Sequence, residues 1–485
     1  MKKTVVMNVV GLCHNILGEN TPRLNDFIKR FGQFTVRPGF PAVTASAQST
    51  YLTGLTAAGH GVVGNGWYFK DMAQVWLWRQ ANALVGGEKI WDAAKRENPS
   101  FTCANLFWWF NMYSTVDYSV TPRPIYRADG LKLPDIYTEP FFLGEELQSE
   151  LGPFPLFQFW GPGADHRSTQ WIAQAARAVF KRYCPTMTFV YLPHLDYDLQ
   201  RFGPNDKRIG KAVRRIDEIC GNLIDFFEER KLRVVLLSEY GINPVSGAVP
   251  INRILREQGW IRVRKECQQE ILDAGASPAF AVADHQVAHV YIQKPGQIDV
   301  IRAHLESIPG IETVWDSRQQ QNHGIAHERS GDLVLTSTMD RWFSYPYWLD
   351  DEVAPDFART VDIHRKPGYD PVELWLDPKI RFPRLHIARR LLQKKLGFRY
   401  LMDVISLDTS LVRGSHGRVD VPREYMPIFL TNTPELVQPE IHFSAENFIE
   451  PTHVKSLLMS HVFGLKSSRE EHQNASRRVA VSDFV

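Results

Sequence analysis

The sequence lacks several features that would assign it to a familiar class at once. Its five cysteines are an odd number, and they are scattered without a Cys-x-x-Cys pair. This spacing argues against a disulfide framework or a zinc–thiolate cluster and favours reduced thiols in a cytoplasmic protein. Nowhere do 18 apolar residues run together, and Asn8 and Gly11 interrupt the apolar stretch that follows Lys2 and Lys3. We therefore predict neither a membrane-spanning helix nor a secretory leader.

An excess of charge of one sign is also missing. Lys and Arg total 56 against 54 Asp and Glu, which leaves a net charge of +2. This balance gives no electrostatic reason to expect a nucleic-acid polymer or a membrane as a partner. The stretch 161–166 contains glycines but no Lys-Ser/Thr, so it is not a P-loop.

What is present is an alternation of apolar strands with amphipathic helices. Residues 4–10, 187–192 and 233–237 have the continuous apolar character of buried parallel strands, and helices are predicted at 169–183 and 208–230. This rhythm predicts an α/β fold, with a doubly wound, mostly parallel sheet flanked by helices. Because ligands bind beyond the carboxyl ends of such strands, the loops after residues 10, 192 and 238 should line one face.

The length of 485 residues exceeds what one hydrophobic core usually fills. We predict that residues 1–250 form the first part of the core, 251–340 an α/β insertion or cap, 341–465 a return to the core, and 466–485 a polar tail. Within the insertion the pattern predicts a helix at 298–307 and strands at 279–283, 288–292, 311–315 and 332–337.

Three neighbouring motifs near the N-terminus carry a resemblance to a known family. They are Phe40-Pro41-Ala42-Val43-Thr44, Ser49-Thr50-Tyr51-Leu52-Thr53-Gly54 and Gly59-His60-Gly61-Val62-Val63-Gly64-Asn65. Together they resemble the nucleophile region of the nucleotide pyrophosphatase/phosphodiesterases, which belong to the alkaline phosphatase superfamily. The resemblance implies an alkaline-phosphatase-like fold, attack on phosphorus by Thr44, and a phosphoryl oxygen held by Asn65. Without it, Thr44 would be interpreted as an ordinary N-cap of the following helix.

The resemblance also implies a metal centre, but several ligand positions differ here. The family places two zinc ions beside the nucleophile. Asp196 is retained, whereas Gln200 stands where a His is expected four residues later. Glu239 and Tyr240 replace an Asp-His pair after a strand, and His416 survives in a Gly-x-His-Gly turn.

The first-strand Asp of the family is also replaced, by Val10. Asn8 lies two residues earlier and, by strand periodicity, points to the same side. Asp196, Glu239 and His416, with Gln200 or Asn8 adding a carbonyl oxygen, are therefore the candidate ligands. Such an oxygen-rich set suits manganese or magnesium better than a tight zinc pair. We expect one or two divalent ions, and the absence of any ion is left open.

Further candidates come from polar and aromatic segments. His364 is a candidate ligand or acid and Arg365 a candidate phosphate clamp, against the alternative of a loop held by its own ion pairs. Trp67 suggests a wall for a ring-bearing substrate, and Tyr240 adjoins the same site. His285 and His289 are interpreted as structural residues on one strand face.

These features lead to three functional hypotheses. The first is metal-assisted hydrolysis of a small-molecule phosphoester or phosphodiester with Thr44 as nucleophile. The alternative is a catalytically altered or inactive family member that binds a phosphorylated or aromatic ligand. A third possibility keeps the scaffold and acts on a sulfate or phosphonate ester, because fold alone does not decide the chemistry.

Overall fold

A nine-stranded central sheet runs through the larger part of this computed structural model, which describes residues 1–128, 131–438 and 448–465. In spatial order its strands are Phe448–Ile449, Phe34–Val36, Ile428–Thr431, Arg233–Leu237, Thr4–Val9, Met187–Leu192, Cys103–Leu106, Tyr118–Pro122 and Ile136–Glu139. The five consecutive strands from Arg233–Leu237 to Tyr118–Pro122 are parallel, and antiparallel pairs flank them on both sides. The predicted mostly parallel α/β sheet is confirmed.

The central strands form where the sequence is continuously apolar. All six residues of Thr4–Val9 and all six of Met187–Leu192 are buried, because helices cover both faces of the sheet. The helix predicted at 169–183 begins earlier, at His166, since the Asp165 carboxylate accepts a hydrogen bond from the Arg167 amide and caps the first turn.

The described α-helices vary from one turn to five. They are Pro22–Phe31, Thr44–Thr53, Ala57–His60, Ile90–Glu97, Phe142–Leu151, His166–Tyr183, His194–Phe202, Gly210–Glu228, Ile251–Glu257, Ile298–Glu306, Ser317–Asn322, Pro383–Lys395 and Val454–Phe463. None of the helices within the described ranges is long and apolar enough to cross a bilayer.

A second sheet of four antiparallel strands lies between residues 279 and 337 and has a hydrophobic cluster of its own. Its strands are Ala279–Asp284, Val287–Ile292, Leu333–Ser337 and Ile311–Trp315 in spatial order. The chain then runs through short turns and the helix Pro383–Lys395 before it re-enters the central sheet at Ile428–Thr431. The predicted tail at 466–485 lies outside the described residues.

The remaining strands of the described residues form five two-stranded sheets. They are Gly66–Phe69 with Gln74–Leu77, Ile125–Tyr126 with Lys132–Leu133, Asn243–Pro244 with Gly414–Ser415, Gly247–Val249 with Arg341–Phe343, and Val263–Glu266 with Gln269–Leu272.

Two glycines allow close approaches that shape the carboxyl edge of the central sheet. Gly11 ends the first strand at φ +77°, a left-handed conformation that glycine adopts without a Cβ clash. At Gly414 a Cβ would lie 2.2 Å from the carbonyl oxygen of Leu199. A larger residue at 414 would therefore push the following segment, which carries His416, away from the helix that carries Asp196.

Candidate active site

The carboxyl ends of three central strands bring polar side chains together. Asn8 is in register with Tyr191 on one neighbouring strand and with Leu237 on the other. Its Nδ2 atom donates to Glu239 Oε1 at 2.5 Å. The loops that follow these strands therefore line one face, as the strand pattern predicts.

Thr44 is the first residue of the helix Thr44–Thr53 and does not cap it. The N-cap position belongs to Val43, and no side chain caps the helix. The Thr44 hydroxyl instead shares a hydrogen bond of 2.9 Å with Tyr240 Oη. The N-cap interpretation of Thr44 is thus wrong, because its side chain points to the strand ends rather than to its own helix amides.

Two amides converge on one oxygen of Glu239. Asn8 Nδ2 and Gln48 Nε2 each donate to Glu239 Oε1 at 2.5 Å. The Gln48 carbonyl oxygen accepts from the Trp109 amide at 2.5 Å, which fixes the orientation of the Gln48 side chain. Glu239 Oε2 and Asn8 Oδ1 are buried without a hydrogen-bond partner among the described residues.

Gln200 orients Asp196. Its Nε2 atom donates to Asp196 Oδ2 at 2.7 Å, and its carbonyl oxygen accepts from Tyr369 Oη at 2.9 Å. The predicted use of that carbonyl as a metal ligand does not match this arrangement, since the oxygen is engaged by a phenol and the amide hydrogens face the carboxylate. Tyr240 Oη lies 3.5 Å from the other oxygen, Asp196 Oδ1.

His416 presents a free ring nitrogen to the site. Its Nδ1 atom donates to the carbonyl oxygen of Ala42 at 2.7 Å, so Nε2 carries the lone pair. That Nε2 atom lacks a hydrogen-bond partner in the described chain and lies 3.9 Å from Asp196 Oδ1. The imidazole stacks on the Tyr240 ring with centroids 3.6 Å apart. Burial lowers the pKa of His416 well below its usual value, so the ring is neutral.

Burial also raises the pKa of the site carboxyl groups towards neutrality. Loss of solvent raises the pKa of Asp196 to about 7, that of Glu239 to about 8 and that of Asp284 to about 6. Hydrogen-bond donors oppose the change at each group without cancelling it. Perturbations of this kind are typical of functional sites.

The turn 284–286 of the second sheet enters the site. The Asp284 carboxylate accepts from the Asn65 backbone amide at 2.7 Å and from Asn65 Nδ2 at 3.0 Å. Asn65 Oδ1 in turn accepts from the amide of Ala45, the second residue of the Thr44 helix, at 3.0 Å. Asn65 thus lies between the Thr44 helix, to which it bonds directly, and a carboxylate of the second sheet, which holds its amide nitrogen.

His285 occupies a different place from the one predicted. Its strand begins only at Val287, and His285 lies before it with φ +60°, a strained conformation for a bulky residue. Its ring lies 3.8 Å from that of His416 and 3.7 Å from that of Tyr369. His289 lies within the strand, where Nε2 is 3.0 Å from the Val63 carbonyl oxygen.

Sequence reasoning missed Gln48, Asp284 and Tyr369, and it interpreted His285 as a structural residue outside this site. One signal was available for Gln48, which is four residues after Thr44 and so lies on the same face of the helix. The other three come from segments far along the chain, and only the tertiary fold brings them to Thr44.

Among the predicted substrate-binding residues, Tyr240 lies beside Thr44. His364 and Arg365 are exposed; His364 Nδ1 is 3.4 Å from the Leu77 carbonyl oxygen, and Arg365 pairs with acidic residues of its own segment at 3.5 and 3.8 Å. Trp67 is buried in a hydrophobic cluster, stacks on Phe69, and is covered by the Arg329 guanidinium. Packing therefore accounts for Trp67.

Other aromatic rings extend the site outwards. The ring centroid of Tyr369 lies 5.7 Å from that of Trp160 and 6.1 Å from that of Trp78. The ring centroids of Trp78 and Trp109 are 5.1 Å apart. These four aromatic rings come from segments that are far apart in the sequence.

The residues fit a cation only through a mixed set of ligands. In the described part of the chain, no three His, Cys, Asp or Glu side chains form a group that could hold a metal ion. Amide or hydroxyl oxygens would have to complete the coordination. Within the described ranges, Asn8 Oδ1, Glu239 Oε2 and His416 Nε2 are buried and have no hydrogen-bond partner, which is the state expected of atoms that bind a cation.

The doubly wound sheet, with a threonine at a helix N-terminus beside its strand ends, is an alkaline-phosphatase-like fold. The family model for type I phosphodiesterase/nucleotide pyrophosphatase matches residues 4–370. The chain therefore belongs to the type I phosphodiesterase/nucleotide pyrophosphatase family.

Solved structures share the fold at low sequence identity. Murine ectonucleotide pyrophosphatase/phosphodiesterase 5, solved as an inactive variant in complex with AMP, is 15% identical, with 96% of each chain covered and a TM-score of 0.56. Phosphonoacetate hydrolase from Sinorhizobium meliloti 1021 in complex with phosphonoformate is 13% identical, with 95% of this chain and 96% of that one covered and a TM-score of 0.60. An uncharacterised pyrophosphatase/phosphodiesterase of Schizosaccharomyces pombe is 22% identical over 219 residues, which span 43% of this chain and 38% of that protein.

Proposed function

We propose that this protein hydrolyses a small-molecule phosphoester or phosphodiester with Thr44 as the nucleophile and with assistance from a divalent cation. Family membership supports phosphodiester or pyrophosphate hydrolysis as the general activity. One observation carries the finer assignment. The Thr44 hydroxyl faces a buried cluster in which three acceptor atoms have no donor among the described residues.

The first element of the mechanism is the helix that begins at Thr44. A helix N-terminus presents free amide groups and a positive dipole end, which favour a phosphate group and a developing alkoxide. Thr44 itself is 4% exposed, so attack takes place in a site that is largely closed to water. A threonine hydroxyl is a weak nucleophile and needs a base or a metal to ionise.

The second element is the set of candidate cation ligands. Asn8, Thr44 and Glu239 would provide one set of ligands for a cation. Asp196 and His416 would provide a second set. When bound, a divalent cation would lower the pKa of the Thr44 hydroxyl and offset charge on the phosphoryl oxygens. The oxygen-rich set favours manganese or magnesium over a pair of zinc ions.

The proposed reaction has two steps at phosphorus. Thr44 Oγ1 forms a bond to phosphorus while the bond from phosphorus to the leaving oxygen breaks, and the leaving group takes up a proton. Water then attacks the phosphothreonine at phosphorus and restores the Thr44 hydroxyl. Asn65 donates one Nδ2 hydrogen to Asp284 and keeps the other for a phosphoryl oxygen, on which negative charge grows.

A substrate panel with and without added metal tests this function. Purified protein is assayed with nitrophenyl phosphate monoesters, diesters, a sulfate and a phosphonate, each after chelation and after addition of Mn²⁺, Mg²⁺ or Zn²⁺. We expect turnover of phosphate esters that chelation removes and Mn²⁺ restores. If all the esters stay intact while Mn²⁺ or AMP still raises the melting temperature, the alternative of a non-hydrolytic binding protein is correct. Preference for the sulfate or the phosphonate would move the chemistry to those groups.

Asp284 should act on catalysis through Asn65. Asn65→Ala is expected to lower kcat about 100-fold or more, the scale for one oxyanion donor. Asp284→Ala should lower kcat about tenfold with little change in KM, because it releases the Asn65 side chain. The double variant should be no slower than Asn65→Ala, because coupled residues are not additive.

Asp332 provides the matched control for this cycle. Its carboxylate accepts from the Ile292 amide at 2.7 Å within the second sheet. Asp332→Ala should lower stability without coupling to Asn65 in kcat. Additive kcat losses for Asp284 and Asn65 would show that Asp284 does not position the amide.

A further inference from the structure

A basic and apolar segment at residues 378–402, named here the basic segment, stands apart from the catalytic site. It contains the helix Pro383–Lys395. It carries eight Lys and Arg residues and no Asp or Glu, although the whole chain has a net charge of only +2. None of the helix residues is buried. A helix of this composition at the surface needs an explanation other than core packing.

One side of the helix attaches it to the protein. His386 Nε2 lies 2.9 Å from the Asp403 carboxylate, and the Arg390 guanidinium donates to the same carboxylate at 2.8 and 2.7 Å. Ile387 packs against a small cluster that includes Ile405. The helix is therefore held in place along its inner side.

The opposite side presents a row of leucines to solvent. Leu385, Leu392 and Leu396 are spaced by seven and four residues, so they share one helix face. Their exposed fractions are 68%, 56% and 63%. Phe382 before the helix and Phe398 after it are exposed to a similar degree. Single exposed leucines are normal, whereas a contiguous apolar row marks an interaction surface.

Cations border this row on both sides. By helical periodicity Arg389 lies next to Leu385 and Leu396 on one side, and Arg384 and Lys395 lie on the other. A helix with an apolar face and a Lys/Arg-rich border is the pattern of segments that lie in the plane of a membrane interface.

We propose that the basic segment binds the surface of a lipid bilayer that carries anionic headgroups. The leucines and flanking phenylalanines would enter the boundary between headgroups and acyl chains, and the cations would contact lipid phosphates. A second copy of the chain would set Arg384, Arg389 and Lys395 against the same three cations, which opposes self-association through this face. A nucleic acid would pair with the cations but would leave the apolar row in water. The balanced charge of the whole sequence conceals this surface, because the cations of the segment are offset by carboxylates elsewhere.

Vesicle co-sedimentation of the full chain tests this binding. Wild-type protein is mixed with phosphatidylcholine vesicles and with vesicles that also contain phosphatidylglycerol, at low and high NaCl. We expect binding to the anionic vesicles only, and release by salt because the lipid contacts are electrostatic. Leu385→Ser/Leu392→Ser/Leu396→Ser should abolish binding. Arg389→Gln/Lys395→Gln should weaken partitioning about 30-fold, at about 1 kcal/mol for each cation near an anionic surface.

A matched control replaces exposed apolar residues elsewhere. Val300→Ser/Leu349→Ser changes side chains of 64% and 52% exposure and should leave binding unchanged. Failure of the wild-type protein to bind anionic vesicles would overturn the proposal, as would equal binding to neutral vesicles. Light scattering that shows a wild-type dimer, dissociated by the triple serine variant without any vesicle binding, would assign the face to a second copy instead. All these readouts are independent of hydrolysis, so they stand whether or not the proposed activity is found.

Discussion

Thr44→Ala is expected to reduce turnover of the phosphate esters by about 10⁴-fold or more, the scale on which loss of a nucleophile acts. The variant loses the only oxygen of the Thr44 side chain, so no phosphothreonine forms. The fold should survive, because the lost hydrogen bond to Tyr240 contributes only about 1 kcal/mol. Steady-state rates, together with the melting temperature and the metal content of the purified variant, provide the measurement.

Two further variants separate chemistry from packing. Thr44→Ser keeps an oxygen at the same position and should retain measurable turnover. Thr53 is a buried threonine at the other end of the same helix, where its hydroxyl donates to the Ser49 carbonyl oxygen at 2.6 Å. Thr53→Ala should therefore change stability slightly and leave kcat near that of the wild type. A Thr44→Ala enzyme that works as fast as an active wild type would remove Thr44 from the mechanism.

The sheet and its helices could be predicted from the sequence because their signal is local. Met187–Leu192 and Arg233–Leu237 form with the bounds that their apolar runs predict. Each run is buried on both faces, so nearly every residue in it must be apolar. Because parallel strands end at a common edge, the strand pattern also predicts that the polar residues at those ends lie on one face. Asn8 and Glu239 meet there, as their direct hydrogen bond shows.

The second sheet's contribution to the site could not be predicted in the same way. His285 and His289 have a spacing that suits a strand, but the strand begins two residues after His285 and the turn directs that ring to His416. The pairing of Asp284 with Asn65 joins residues 219 apart in sequence. Neither contact leaves a local pattern in the sequence.

The orientation of an amide side chain could not be predicted from the sequence either. Gln200 has an oxygen and a nitrogen to offer, and its sequence position does not decide which faces the site. Tyr369 decides it by donating to the oxygen, so the nitrogen faces Asp196. Composition leaves positions open as well, because a net charge of +2 is an average over the whole chain and contains no information on where the cations lie.

Lys366→Met is expected to destabilise the protein by about 3–5 kcal/mol, the usual cost of removing one partner from a buried ion cluster. The Lys366 side chain is 1% exposed, and its Nζ atom lies 2.7 Å from both Asp370 and Glu373. Burial alone would lower the pKa of Lys366, but the two carboxylates raise it, so the ammonium stays charged. Methionine fills a similar volume and leaves both carboxylates buried without their cation. Urea unfolding followed by tryptophan fluorescence measures the loss.

A partly exposed ion pair provides the comparison for the expected loss of stability at Lys366. Lys95 lies 3.2 Å from Asp117, with both side chains about one third exposed, so Lys95→Met should cost no more than about 1 kcal/mol. Lys366→Met/Glu373→Gln should be less destabilised than the two single variants together, because the double change removes a charge that the first change isolates. Tyr369 lies between Lys366 and Asp370 in the sequence. Lys366→Met should therefore also loosen the Tyr369 phenol, which orients Gln200 and, through it, Asp196. Equal costs at Lys95 and Lys366 would mean that the buried cluster does not anchor this segment.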